Sequence, residues 1–203
     1  MFKKILKWIG VVVVAGFVGL VIVRMFVLDA KEKTAEQVAR IHATKLTIDD
    51  VFGKNLPVPS EVEGPPDYDA TIAGVDANAN GIRDDVELAI FKEYPNSAKT
   101  RAVLLQYALA LQMEVVQPIV NEGTVTAVAE DSGRAHLCVG EITSRKDMAK
   151  FIEITERFYS FVETRQLNTE ARKQAKKDFY RGNLGSYVSP DEICDLDLST
   201  LPN

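Results

Sequence analysis

A run of apolar residues near the amino end constrains the fold of this chain more than any other sequence feature. It extends from Ile9 to Leu28 and only Arg24 interrupts it with a charge. About twenty apolar residues in a helix match the thickness of the hydrocarbon core of a membrane, and an arginine near the end of a span can reach the membrane surface. The sequence therefore predicts a transmembrane helix over residues 9–28, preceded by a short tail, residues 1–8.

The charges on either side of this span predict its orientation. Lys3, Lys4 and Lys7 precede it, whereas acidic and basic residues nearly balance after it. Because positive flanks stay in the cytoplasm, we expect a cytoplasmic tail, a single-pass anchor in the cell (inner) membrane and a periplasmic or extracellular domain. The alternative is a cleaved signal peptide. Its best cut, after Ala30, places Leu28 where a small residue is required, which favours an uncleaved anchor.

Composition indicates one folded domain beyond the anchor. The chain has 203 residues, of which 46% are hydrophobic and 26% charged, a balance typical of globular proteins. Its formal net charge of −5 argues against nucleic acid as a partner. We expect the exported part to fold around a single core.

Hydrophobic periodicity predicts an all-α fold, because no alternating β-branched run lies outside the membrane span. We divide the exported part into a juxtamembrane helix with a proline-rich linker, residues 29–70, and a domain of five or six helices, residues 71–203. The broadest apolar surface belongs to the helix after Asn96, which we expect at the centre of the core. The helices are predicted over residues 30–43, from Thr47 to Gly53, from Asp84 or Asp85 to Tyr94, from Asn96 or Ser97 to about Val116, over residues 124–139, from Ser144–Asp147 onward, from Asn168 or Thr169 to about Gly182, and as a short turn after Ser189.

Twelve residues, Asp76–Glu87, carry the main functional pattern. Oxygen-bearing side chains stand at the first, third, fifth, ninth and twelfth positions, with glycine at the sixth. A hard divalent cation needs six to eight oxygens, and a short chain supplies them by coiling around the ion. The pattern predicts a calcium site formed by the side chains of Asp76, Asn78, Asn80, Asp84 and Glu87 and the backbone carbonyl of Ile82.

This loop resembles the calcium loops of EF-hand proteins, dockerins and thrombospondin type 3 repeats, over these twelve residues alone. Pro65, Pro66 and Gly74 precede it, so an incoming helix is not expected. Arg83 stands where a paired EF-hand carries an apolar residue that bridges to a second loop. We therefore expect a single, unpaired site. Its three carboxylates and two amides predict weak affinity, on the order of 10⁻⁴ to 10⁻³ M.

A loop without metal is the alternative. Asn and Asp side chains bond to their own backbone in tight turns, which explains residues 78–81 but not the acids Asp84 and Glu87. The wider segment from Leu56 to Glu87 also resembles a block of exported bacterial proteins, to which no activity is attached. The resemblance implies export and says nothing about chemistry.

The cysteines and histidines offer few other sites. Cys138 and Cys194 are expected to form a disulfide in an exported protein, although two buried thiols are also compatible with the sequence. His42 and His136 are too few for a zinc site. A nucleophilic pair of His136 and Cys138 is disfavoured, because residues two apart on a helix face different directions. The basic helix from Arg172 to Arg181 is interpreted as a solvated face, with anionic lipid or an acidic partner as alternatives.

We interpret the chain as a membrane-anchored, exported module that binds one structural calcium ion and serves binding or scaffolding, with an envelope protein as its possible partner. A calcium-responsive sensor of the cell envelope is one alternative. The other is an enzyme acting on envelope polymers, which requires paired acids such as Asp67 and Asp69, or Asp191 and Asp195, to converge in a cleft. No catalytic motif supports the enzyme.

Overall fold

The computed structural model describes residues 2–57, 64–181, 184–186 and 192–203. Over these ranges the protein is all-helical and contains no β-strand, as predicted. A long amino-terminal helix is followed by six shorter ones. The helices are α1 (Phe2–Ala43), α2 (Ile48–Phe52), α3 (Asp84–Glu93), α4 (Ala98–Val116), α5 (Glu122–Gly140), α6 (Met148–Gln166) and α7 (Glu170–Phe179), and a 3₁₀ turn spans Leu198–Thr200.

Helix α1 contains the predicted transmembrane segment. It is the one helix within the described ranges that is long and apolar enough to cross a membrane. The apolar side chains of this segment that the structure describes, among them Val12, Phe17 and Leu20, are exposed, which suits a lipid environment. The predicted juxtamembrane helix, residues 30–43, is the last third of the same helix, without a break before it.

Helix α4 lies at the centre of the core, as its broad apolar surface predicted. Ser97 caps its first turn by accepting a hydrogen bond from the Thr100 backbone, and the helix ends at Val116, two residues before Pro118. Residues 101–115 are all buried. Helices α2, α3, α5, α6 and α7 each pack against it. The other elements are therefore positioned by their contacts with α4.

Local capping signals fixed several of these boundaries. Thr47 and Asp50 form the predicted capping box at the start of α2, and Gly53 ends it in the left-handed region at φ 68°. Asp147 caps α6 and Thr169 caps α7 through their side chains. Each capping side chain accepts a hydrogen bond from a backbone amide that has no partner within the helix.

Four details of the prediction were wrong. Gly123 was expected to lie in a break, but α5 begins at Glu122, because Asn121 caps it. Helix α7 ends at Phe179 rather than near Gly182. The helical spacing of apolar residues in α6 predicts core packing for Met148 and Ile152, which are instead 55% and 52% exposed. Arg172 was placed on a solvated face and is fully buried. The predicted turn after Ser189 begins outside the described residues.

A disulfide and a charge cluster attach the carboxyl-terminal segment to α5. Cys138, near the end of α5, is joined to Cys194. One turn earlier, Arg134 forms ion pairs with Asp131 at 3.0 Å and with Asp195 at 2.8 Å. These contacts hold residues 192–195 against the helices.

Candidate metal centre

The two ends of the predicted calcium loop meet where α3 begins. The backbone amide of Asp84 donates to the carbonyl of Val75 at 2.9 Å, and the Asp84 carboxylate accepts from the backbone amide of Ala77 at 3.0 Å. Arg83, at the N-cap position, makes no side-chain capping bond. The Asp84 carboxylate therefore lies at the amino end of a helix, where the dipole favours negative charge. As predicted, a helix follows the loop and none immediately precedes it.

Inside the loop, side-chain oxygens turn inward onto backbone amides. The Asp76 carboxylate accepts from the amides of Asn80 at 3.2 Å and Gly81 at 2.8 Å. The Asn78 carbonyl oxygen accepts from the Asn80 amide at 3.3 Å, and the Asn80 oxygen from the Ile82 amide at 2.9 Å. These are Asx-turn bonds of the kind proposed for a metal-free loop. They coil the chain around the side chains at alternate positions.

Glycine is required at the sixth position of the loop. Gly81 has φ 83° in the left-handed region, and a Cβ atom there would lie 2.8 Å from Cδ1 of Leu109 on α4. Ala79 also has positive φ, at 56°. The side chain of Ile82, whose carbonyl is the predicted backbone ligand, is fully buried. The turn is thus strained locally and anchored in the core on both sides.

Glu87 receives both asparagine amides. Nδ2 of Asn78 and Nδ2 of Asn80 each lie 3.1 Å from a different oxygen of its carboxylate, and the residue is 1% exposed. Burial raises the pKa of Glu87 to about 7, and the charges of Asp50 and Asp84 act in the same direction. The loop therefore brings positions three, five and twelve together around one buried carboxylate.

In the part of the chain that the structure describes, no basic side chain pairs with Glu87 or Asp84; the salt bridges nearby join Arg83 to Asp69 and Asp85. Burial also raises the pKa of Asp84, which is 3% exposed. The nearest arginine, Arg83, turns away: its guanidinium binds Asp85 at 2.5 Å and the carbonyl of Gln166 at 3.1 Å. Two buried acids thus share one region with no cation of the protein.

The acids themselves are not gathered into a cage. Among the described residues, no three His, Cys, Asp or Glu side chains are placed to hold a metal ion together. Asp76 and Asp84 bond to backbone amides, and the amide nitrogens rather than the oxygens of Asn78 and Asn80 face Glu87. Calcium binding by this loop therefore stays a prediction.

Two residues outside the loop contribute to the region. Oδ1 of Asp50, on α2, accepts from Nδ2 of Asn80 at 3.4 Å, and the Asn55 carbonyl accepts from Nδ2 of Asn78 at 3.2 Å. Sequence reasoning missed both, because they precede the loop by more than twenty residues. The capping box identified Asp50 only as part of a helix start. The region thus joins α2 to α3.

The histidine and cysteine candidates have structural roles. The ring of His136 packs edge-on against Tyr107 at 4.8 Å between centroids and lies 4.6 Å from the ring of Tyr159. Cys138 is joined to Cys194 and therefore offers no thiol. A His136 and Cys138 nucleophile is excluded. His42 lies 3.3 Å from the Asp131 carboxylate, without a metal-ligating partner set.

The acid pairs of the enzyme hypothesis are occupied by other contacts. Asp69 is paired with Arg172 and accepts two bonds from Asn168. Asp67 accepts from the Asp69 backbone amide at 3.0 Å. Asp195 is paired with a buried arginine of α5, and Asp191 lies outside the described residues. The described part of these pairs serves to hold the fold together.

Comparison with models of protein families, with curated proteins and with solved structures found no match to this chain. What the loop binds must therefore be inferred from its own atoms.

Proposed function

We propose that residues 76–87 bind one calcium ion of structural role in an exported, membrane-anchored helical protein that serves as a binding or scaffolding module. The observation that carries this proposal is the buried carboxylate of Glu87. It faces two asparagine side chains and lies near other acids, without a cation in its surroundings. A buried, uncompensated charge costs several kcal/mol, and a dication bound beside it removes that cost.

The loop has the donor set that calcium prefers. The ion would be held by oxygens of Asp76, Asn78, Asn80, Asp84 and Glu87 and by the carbonyl of Ile82. Calcium takes carboxylate, amide and carbonyl oxygens in a flexible shell, whereas magnesium demands a stricter octahedron. Binding requires the carboxamides of Asn78 and Asn80 to rotate, so that oxygen replaces nitrogen toward Glu87. This rotation exchanges two atoms of similar size and gives up the hydrogen bonds that the Asn78 and Asn80 oxygens accept from the backbone amides of Asn80 and Ile82.

The ion's effect would be to fix a junction between helices. The loop contacts α2 through Asp50, begins α3 at Asp84, and rests on α4 through Gly81. Between α2 and α3 the described chain has no helix. The loop is therefore the last segment of this connection that neighbouring elements hold in place before α3 begins. Calcium would hold this approach rigid and preserve the surface that the domain presents to a partner protein of the envelope. The weak affinity predicted from three carboxylates suits a compartment rich in calcium.

Thermal unfolding of the full chain in detergent tests the proposal. Free calcium at ten times Kd is expected to stabilise the fold by about 1.4 kcal/mol, which raises the Tm of a domain of this size by about 3 to 6 °C. The E87Q variant is expected to lose this response. The matched control is E93Q, the same change at an exposed position of α3. If calcium leaves the Tm of the unaltered chain unchanged, or shifts that of E87Q equally, the loop does not bind the ion as proposed.

A further inference from the structure

Two pairs of contacts show that α1 and α5 run side by side in the same direction. Near the start of α5, Asn121 donates to the Thr34 hydroxyl at 2.6 Å. Further along both helices, His42 lies 3.3 Å from Asp131. Since α1 leaves the predicted membrane span in this direction, the amino end of α5 faces the membrane. Helix α4 leads into α5 through a short loop, so its carboxyl end faces the membrane too.

The loop between α4 and α5 exposes large apolar side chains at this end. Ile119 is 49% exposed and Val120 is 54% exposed, and Val116 before them is 40% exposed. Leu184, at 49% exposed, lies nearby, because the amide of the next residue donates to Thr126 in the second turn of α5 at 2.8 Å. Large apolar side chains exposed together at one end of a domain mark a contact surface. We call these four residues the apolar end.

The height of the apolar end above the span follows from helix geometry. Thr34 is six residues beyond Leu28, the last residue of the apolar run, which is about 9 Å along a helix. The headgroup layer on one side of a bilayer is about 5 to 8 Å thick. Ile119 and Val120 precede Asn121 and therefore lie on the membrane side of the contact with Thr34. They reach the level of the lipid headgroups.

Basic residues lie at the same end of the domain. Lys176 in the last turns of α7 pairs with Glu114 near the end of α4 at 3.0 Å, which places the carboxyl end of α7 beside the apolar end. Lys177 and Arg181 follow and are exposed. Apolar side chains next to exposed cations are the combination by which interfacial segments bind anionic lipid surfaces.

We propose that the apolar end inserts into the lipid interface and forms a second membrane contact beside α1. This inference rests on the membrane anchoring in the proposed function and is independent of calcium. A bilayer is the occupant that the geometry selects, because α1 already holds the loop beside lipid and so raises its effective concentration there. Two contacts with the membrane fix the tilt of the domain relative to the bilayer. With one helix alone, the domain would be free to rotate. The calcium loop and any partner surface then keep one orientation to the membrane.

A fluorescent label on the full chain in lipid nanodiscs tests this contact. The native cysteines of the described chain are joined in a disulfide, so a thiol-reactive NBD group attaches to V120C alone. The control is I152C on α6, whose native residue has nearly the same exposure, 52%, and which lies at the opposite end of the domain. The nanodiscs contain phosphatidylcholine and phosphatidylglycerol, with and without headgroup-spin-labelled lipid.

We expect the emission of the label at position 120 to shift to shorter wavelength and to be quenched by the spin-labelled lipid. The label at position 152 should emit as in water and remain unquenched. A label at position 120 that behaves like the one at 152, in protein recovered with nanodiscs, overturns the second contact but leaves the anchor intact. Failure of the chain to enter nanodiscs at all refutes the anchor and this inference together. A shift that appears only when another membrane protein is added also overturns the lipid contact.

Discussion

If the loop binds calcium as proposed, the buried carboxylate of Glu87 should make the stability of the protein depend on pH and calcium together. Its pKa is raised from 4.5 to about 7 by burial. The folded, metal-free protein therefore holds a proton on Glu87 more tightly than the unfolded chain does. Between pH 4.5 and about 7 the free energy of unfolding falls as pH rises, by about 3 kcal/mol in total. Asp84 acts in the same direction, because burial raises its pKa as well.

Calcium should oppose this loss, because the ion and the proton compete for the same carboxylate. Above pH 7 Glu87 is ionised, and calcium at ten times Kd contributes about 1.4 kcal/mol. Below pH 7 each pH unit weakens the apparent affinity about tenfold, since the proton must leave before the ion binds. At pH 5 the same calcium concentration should have almost no effect. The contribution of calcium therefore grows with pH, while the stability of the metal-free protein declines.

Thermal unfolding of the full chain at pH 5, 6, 7 and 8, with calcium or with a chelator, measures both effects. The E87Q variant should lose the calcium response and the part of the pH-dependent decline that Glu87 causes, while the contribution of Asp84 remains. An equal calcium shift at pH 5 and pH 8 would show that the ion, if bound, does not displace a proton from Glu87. A metal-free protein equally stable at pH 5 and pH 8 would contradict the burial argument itself.

Three further changes test the contacts around the site. Replacing Cys138 and Cys194 with serine opens a loop of 56 residues and should lower the free energy of unfolding by about 4 kcal/mol in the chain-entropy model, measured by urea titration. G81A should cost about 1 to 2 kcal/mol, because the left-handed φ and the contact with α4 both oppose a Cβ atom; G19A, where a Cβ meets open space, should not. R172M removes the donors to three backbone carbonyls and should cost about 3 kcal/mol or more, whereas K173M at the neighbouring exposed position should cost less than about 0.5 kcal/mol.

The helices could be predicted from sequence because their signals are local. Ser97 and Thr47 sit at the caps where their hydroxyls reach free backbone amides, and Gly53 ends α2 in the conformation that glycine permits. Gly123 misled the prediction. At the second position of α5 its cost of about 1 kcal/mol is offset by the Asn121 cap and by burial of the apolar face that follows.

The candidate calcium loop could be identified from residue spacing, because its side chains belong to one continuous segment; its binding of calcium stays a prediction. Its surroundings could not be predicted in this way. Asp50 reaches the loop from α2, and Arg172 reaches the carbonyls of Tyr68, Thr71 and Ile72 from about a hundred residues away. The composition of α7 indicated a solvated basic face. No local signal in the sequence shows that Arg172 of this helix bonds to backbone carbonyls. Long-range polar contacts produce no periodic pattern in the sequence, and periodicity therefore does not predict them.

The distribution of the buried cations supports the proposal that the acids of the loop take a charge from outside the chain. In the described residues between Gly53 and Asp84, 53–57 and 64–84, the chain lacks helical hydrogen bonds, so its carbonyls must find donors elsewhere when they are buried. Arg172 supplies three of them, and Gln112 donates to the carbonyl of Ala73 at 2.8 Å. Both fully buried arginines, Arg83 and Arg172, are thus committed to backbone carbonyls and to acids outside the loop's interior. Beside Glu87 the described chain places two neutral amides and the acids Asp50 and Asp84 but no cation. The proposed dication would balance these acids without disturbing the contacts of the two arginines.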